Sequence, residues 1–406
     1  MVRLGIWLLF VAWAGPGWAQ EDLCEDDSGC ASRQCVNGVC VPQATPPACP
    51  ETAVIPPPQD RYPTRWGVLI QLDQDVLLPT PINQDRNYTM GLSIGARGRW
   101  IHDLRLDVPL AFLDEYLGPN RLRRWLHTEG RRTDLQAAAD VIDHDWRLAL
   151  QGSGFTPDDL EATEVIRDDR PYGSLVVLSL SHVSRASWRD VAVRTRLVLG
   201  ALGLSAAEHL QTLVHQTIRG EGDTTPADPL GWHHQISDGG EPTGLYEAAV
   251  LWQVWRRSFT DLVLDAGGSV GYYTQLNSGL SLRLGLPLGD PLLTDGPNMG
   301  IISVADDGHA RAEPQRFGAW LQLDARGRIM GYNALLQGQL RDSDHTLAHR
   351  DVEVFLFEPE ASVVLALWGW TASFKVVARS PEHQLAERRW HAWGGLTLGY
   401  TRMEEN

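Results

Sequence analysis

Segments of about ten residues, each alternating apolar and polar side chains, recur along most of this 406-residue chain and break at short polar connections. Examples are "WGVLIQLDQD", "YTMGLSIGARG", "WRDVAVRTRLVLGAL", "GLSLRLGLPL", "ASFKVVARS" and "HAWGGLTLGY". A period of two gives a strand one apolar and one polar face. Beyond residue 19 no apolar run is long enough for a membrane-spanning helix. Apolar faces in so many successive strands need a common sink. A lipid bilayer around a closed barrel provides one, and the 39 glycines and 16 tryptophans suit such a barrel. A soluble β-sandwich would show the same alternation, so the pattern by itself leaves both open.

In the barrel reading the chain is all-β, a transmembrane antiparallel β-barrel of about 12 strands across residues 65–406. The first strand is expected at Trp66–Val76, running outward from the periplasm. Odd strands then lead into outer loops and even strands into inner turns. Residues 101–144 look helical and fall between strands two and three, which puts them on the periplasmic side, where they would plug or cap the barrel. Residues 204–220 read as a helix in the outer loop between strands five and six.

The N-terminal part has a different character. Residues 1–19 have the charged start, apolar run and small-residue cleavage site of a secretory signal. Residues 20–41 form a cysteine-rich segment and residues 42–64 a proline-rich linker. Cys24, Cys30, Cys35, Cys40 and Cys49 are the only cysteines. An exported setting without histidine among them favours disulfides over a zinc knot. Their odd number leaves one thiol unpaired or bonded elsewhere. A net charge of -16 with a pI near 5.2 argues against nucleic acid as a partner.

The unusual polar motifs collect on one side of this register. "LDQD" ends strand one, "DRNYTMG" opens strand two, "FTPDDLEATEVIRDDRPYG" joins strands three and four, and "SAAEHLQTLVHQTIRGE" joins five and six. All four belong to the outer rim. Ser205 and Glu208 form a capping box and Gly220 a stop, while Gln211 and His215, four residues apart, project from one helix face. An ordinary surface helix would look the same. "GGSVG" at Gly267–Gly271 matches a nucleophile-elbow pattern but has no helix after it.

Taken together, "LDQD…DRNYTMGL", "FTP…DDRPYGSL", "HLQTLVHQTIRGE…GWHHQ" and "RSPEH" resemble the lipid A 3'-O-deacylase family of calcium-dependent outer-membrane barrels, over about residues 66–401. The resemblance implies hydrolysis of an ester-linked acyl chain of lipid A in the outer leaflet, at the extracellular rim. It makes His215 the base that activates water, accompanied by Gln211 and Gln74. It makes Asp75, Thr89 and Glu221 the ligands of Ca2+. Those residue types suit such roles, because calcium takes oxygen donors and an imidazole exchanges protons near neutrality. Two positions depart from the family. Gln74 stands where it has asparagine, and the loop between strands three and four has no lysine, only Arg167 and Arg170. The alternatives are an outer-membrane phospholipase with the same site, or a non-catalytic channel or scaffold.

Overall fold

In the computed structural model the described residues are 35–36, 39–40, 59–61, 65–78, 87–128, 141–186, 190–209, 211, 229–286, 288, 292 and 317–403. Contacts divide the chain into two units, Met1–Ile55 and Pro56–Asn406. In the first, Cys35–Val36 and Val39–Cys40 pair antiparallel, with Cys35 opposite Cys40. The signal segment and Cys24, Cys30 and Cys49 lie outside the described residues.

The second unit is a closed antiparallel barrel of twelve strands, as the alternation leads one to expect. They are β1 (Arg65–Gln74), β2 (Asn87–Arg97), β3 (Val141–Thr156), β4 (Gly173–Ala186), β5 (Val191–Leu202) and β6 (Glu241–Arg257). Then follow β7 (Thr260–Gly271), β8 (Tyr273–Leu286), β9 (Gly318–Asn333), β10 (Phe355–Leu367), β11 (Trp370–Arg379) and β12 (His391–Met403). Each strand pairs with its sequence neighbours, and β12 closes on β1 from Gly394 opposite Gln74 to Met403 opposite Arg65. The short strand Gln59–Arg61 also runs parallel to the start of β3. No described helix is long and apolar enough to cross a membrane; the strands do the crossing.

The alternation assigns the two faces. Lumenal positions carry buried pairs: Lys375 Nζ to Asp73 at 3.1 Å, Arg283 to Asp261 at 2.7 Å, and Arg328 to Glu358 at 2.7 Å. The opposite face exposes Val68, Ile70, Leu72, Ile94, Leu150, Leu178 and Leu199 to lipid. Trp66 and Trp370 both pack on Tyr400 near the rim where β1 begins. Such aromatics are typical of a membrane–water boundary.

The two rims differ. At the rim where β1 ends, here the loop rim, the connections after the odd strands gather. Asn333 caps a short helix by accepting from Leu335 N at 2.9 Å, and Leu335 and Leu336 pack into the lumen against Tyr88, Phe155, Leu175, Tyr273 and Trp393. Arg170, from the loop after β3, donates to Glu382, from the loop after β11, at 3.0 Å. Arg379 reaches Glu382 at 3.2 Å and Glu358 at 2.6 Å. Burial by itself would raise the Glu382 carboxyl, but Arg379 and Arg170 outweigh it and pull it down to about 2. The barrel mouth is thus packed with protein at this rim.

At the opposite rim, the connection after β2 forms α1 (Trp100–Asp103), α2 (Val108–Leu117) and α3 (Pro119–Thr128). The expectation is that it plugs or caps the barrel, but its described residues up to 128 lie outside the lumen. Asp114 and Arg123 bond Thr195, and Tyr246 donates to Asp114 at 2.7 Å. Thr195 and Tyr246 occupy positions on β5 and β6 whose alternation points away from the lumen, in register with exposed Leu199 and Trp252. Ile101 and Leu110 likewise pack on Trp146 and Leu180 of the outward face. The insertion is fastened to the outside of the wall. Sequence periodicity indicates its rim but not its face. Residues 141–144, expected within the insertion, belong to β3.

Candidate functional site

The alternation along β1 sorts three polar residues at its end. Asp73 points into the lumen, accepting from Gln71 Nε2 at 2.8 Å, Tyr88 OH at 3.3 Å and Lys375 Nζ at 3.1 Å. Those bonds occupy Asp73 in the barrel interior. Gln74 falls on the other face by parity and is 7% exposed; Asp75 follows at 3%. β1 stops two residues earlier than expected because Asp75–Leu77 turns into a single 3₁₀ coil, closed by Leu78 N donating to Asp75 O at 2.9 Å. A register that aligned Leu72-Asp73, in place of Gln74-Asp75, with the family pair would put a lumenal, ion-paired carboxylate in the metal-ligand position.

Thr89 lies opposite, on β2, at a bulge between Tyr88 and Met90. An extra residue there re-aims the side chain at the rim. Thr89 Oγ1 donates to Gly154 O at 3.1 Å and is buried. Its proton is committed to that carbonyl, so its lone pairs remain for another partner.

Gly154 links this corner to the loop after β5. A methyl group there would stand 3.3 Å from Met90 Cγ, 3.4 Å from Ala207 Cβ and 3.5 Å from Trp232 Cη2. Residues 206–209 and 211 are helical, so Ala207 and Gln211 are one turn apart on one side. The helix side bearing Ala207 therefore rests on the outward, lipid-side face of β2 and β3 at the loop rim. Trp232 packs on Ala207 and Tyr172, with the two rings 5.1 Å apart. Gly231 permits this approach, since a Cβ there would lie 2.5 Å from Tyr172 Cε2. Trp232 Nε1 donates to Gln211 Oε1 at 3.0 Å. Gln211 Nε2 is buried and has no hydrogen-bond partner among the described residues. The indole fixes which end of the carboxamide is which, leaving its two N–H donors without a partner among the described residues.

Thr89 and Trp232 thus meet at one glycine, Gln211 is tied to that corner through the Trp232 indole, and Gln74 and Asp75 end the adjoining strand at the same rim. His215 and Glu221 lie outside the described residues. Among the described residues no three His, Cys, Asp or Glu side chains form a metal cage. Asp75 and Thr89 nevertheless fit calcium chemically, since both offer oxygen from a dry position and neither is a soft ligand.

Other polar residues of the motifs have structural work. Gln235 accepts from Ser174 Oγ at 2.8 Å and donates to Asp238 at 2.9 Å. His234 contacts Asp344 at 2.6 Å and Thr163 O at 3.1 Å, while His233 is exposed. Arg170 is enclosed between Glu382 and the face of Phe155, its guanidinium 4.4 Å from the ring centroid. That leaves Arg167 as the exposed basic residue of the loop after β3. Ser269, in "GGSVG", donates to Tyr273 O at 2.8 Å, within the tight β7–β8 connection. Trp232 is the site residue that sequence reasoning misses. Its only signal is the "GW" pair after the helix.

The fold and this corner together define a class: a twelve-stranded transmembrane barrel with buried polar residues gathered at the lipid side of one rim, beside a helical turn of the loop after β5. A family model described as "Outer membrane protein LpxR" matches residues 39–402. The chain belongs to that family, and with it to the outer-membrane enzymes of lipid A modification. Among solved structures it is similar to LpxR from Salmonella typhimurium, with 14% identity and a TM-score of 0.60 over 82% of this chain and 99% of that one. The β domain of the Bordetella autotransporter BrkA is 9% identical, with a TM-score of 0.34, over 84% of this chain and 98% of that one. The translocator domain of NalP from Neisseria meningitidis is 10% identical, with a TM-score of 0.35, over 83% of this chain and 87% of that one. No curated protein matches.

Proposed function

We propose that the chain is a calcium-dependent ester hydrolase that removes an acyl chain from lipid A in the outer leaflet, with the loop rim facing outward. The observation that carries this reading is the Gln211 carboxamide, held at its oxygen by Trp232, its buried nitrogen unpartnered among the described residues, while the same indole packs at Gly154, whose carbonyl Thr89 bonds. A buried, unpartnered donor is costly in a resting protein and suits an oxygen that becomes negative during a reaction. The corner's place on the outward face of β2 and β3 lets an acyl chain approach from the leaflet without leaving hydrocarbon.

In this mechanism His215, four residues after Gln211, takes a proton from water, and the resulting hydroxide adds to the ester carbonyl carbon. Gln211 Nε2 donates to the carbonyl oxygen as charge builds there, and Gln74 is the second amide at that position. His215 returns its proton to the departing alkoxide as the ester C–O bond breaks, giving a free fatty acid and a sugar hydroxyl. Asp75, Thr89 and Glu221 would hold Ca2+, which when bound polarises the ester carbonyl.

The test is mass spectrometry of lipid A and phospholipids from membranes carrying wild type, His215→Ala or Glu221→Ala, with calcium or chelator. Loss of one acyl chain only with wild type and calcium is expected. Phospholipid cleavage with intact lipid A would transfer the reading to a phospholipase. No change in either lipid would refute hydrolysis.

A further inference from the structure

The insertion after β2 has a polarity that makes sense only in lipid. Along α2, the side facing the barrel is Asp107, Leu110 and Asp114, all buried. Asp114 accepts from Tyr246 and Thr195, at 2.7 and 2.9 Å, and pairs with Arg123. The side facing away carries Val108, Phe112, Tyr116 and Leu117, with Phe112 68% and Tyr116 80% exposed, and Leu104 and Leu106 continue it. Phe112 and Tyr116 stack with ring centroids 6.4 Å apart. A helix packed on a water-soluble domain shows the reverse, with its apolar stripe inward and its carboxylates in solvent.

We infer that α2 lies in the membrane leaflet at the rim opposite the loop rim, with Val108, Phe112 and Tyr116 immersed in lipid. Three observations select lipid as the occupant. The surface is continuous with an established one, because α2 is fastened over outward positions of β5 and β6, Thr195 and Tyr246, on the same strand faces that expose Leu199 and Trp252 to lipid. The carboxylate that hydrocarbon would reject is turned to the wall and fully hydrogen-bonded. The one exposed charge within α2 itself, Glu115, is gripped by both ends of the Arg124 guanidinium at 3.0 and 3.2 Å. That pair sets the depth near the headgroups, with Phe112 and Tyr116 below it. In the orientation proposed above this is the inner leaflet, but the lipid contact itself does not depend on that orientation or on catalysis.

The test uses full-length protein in phospholipid vesicles without lipid A. Phe112 and, separately, Tyr116 are exchanged for p-azidophenylalanine and coupled to a nitroxide, which leaves the five cysteines untouched. Exposed Arg121 on α3 carries the same label as a reference. Collision with oxygen should exceed collision with a water-soluble nickel chelate several-fold at 112 and 116 relative to 121. Equal access by the chelate at all three sites would overturn the inference. So would exclusion of both reagents at 112 and 116, which would mean that protein covers the face. Heat-modified gel mobility confirms that each labelled barrel is folded.

Discussion

Replacing Trp232 with phenylalanine keeps the ring against Ala207 and Tyr172 but deletes the N–H that donates to Gln211 Oε1 at 3.0 Å. A net hydrogen bond of about 0.5–1.5 kcal/mol disappears, and a stranded buried acceptor costs about 1–3 kcal/mol. The carboxamide then loses its preferred sense and can turn its oxygen toward the site. Losing about 1–1.5 kcal/mol of orientation corresponds to roughly a 5- to 10-fold fall in kcat, at about 1.4 kcal/mol per decade. Gln211→Met removes the donor entirely, for which about 10²- to 10³-fold is expected. The assay is acyl release from lipid A in mixed micelles, resolved into kcat and KM, beside thermal unfolding. Trp232 acts through Gln211 as a positioning residue, so KM should stay near wild type while kcat falls. Wild-type kcat in Trp232→Phe with lowered thermal stability would show that the indole only packs, and Gln211 would lose its assigned role.

Asp73 and Asp75 should separate cleanly. Asp73→Ala takes away the acceptor of Gln71, Tyr88 and buried Lys375 and should destabilise the barrel by about 3–5 kcal/mol in unfolding assays. Asp75→Asn should leave the unfolding midpoint near wild type and abolish calcium-stimulated acyl release; the reverse pattern would favour the other register. The loop rim should loosen in acid. Burial and Arg170 hold His383 below the usual histidine range, so its contribution is full above that range and falls as pH drops through it. Glu382, pulled to about 2, contributes fully above about 4.5, and that stability is lost as pH falls toward 2. Limited proteolysis of the 380–390 loop at pH 7, 5 and 3 should show two steps of increasing cleavage, and none if the Arg170–Glu382 contact is unimportant.

The barrel was legible because alternation is a direct record of two solvents, lipid and a polar lumen, imposed on every strand. The rim of each motif followed from counting strands. Faces were harder. Asp73 and Asp75 differ by two residues, yet one is lumenal and the other sits in a turn beyond the strand, and only the stop after Gln74 separates them. For the insertion, the spacing of Asp107, Leu110 and Asp114 was present in the sequence but reads as the polar stripe of a soluble helix unless the barrel wall is known to lie beneath it. Trp232 escaped because its role is a single N–H directed at a side chain 21 residues earlier. Residue types announce chemistry more readily than they announce who orients whom.

The seam between β1 and β12 sets the order in which this molecule can be completed. Gln74 finds its partner Gly394 only when the final strand arrives, and Lys375 reaches across to Asp73 from 302 positions downstream. A Cβ at Gly395 would stand 2.3 Å from Lys375 Cε and 2.6 Å from Asp73 Oδ1, so a larger residue there would have to displace both members of that pair. A chain halted before residue 391 would present β1 and β11 as open edges, and the corner holding Gln74 and Asp75 would lack one wall. On the proposed reading, the site is therefore whole only once the seam has closed, and an unfinished cylinder would lack the wall that the hydrolysis needs.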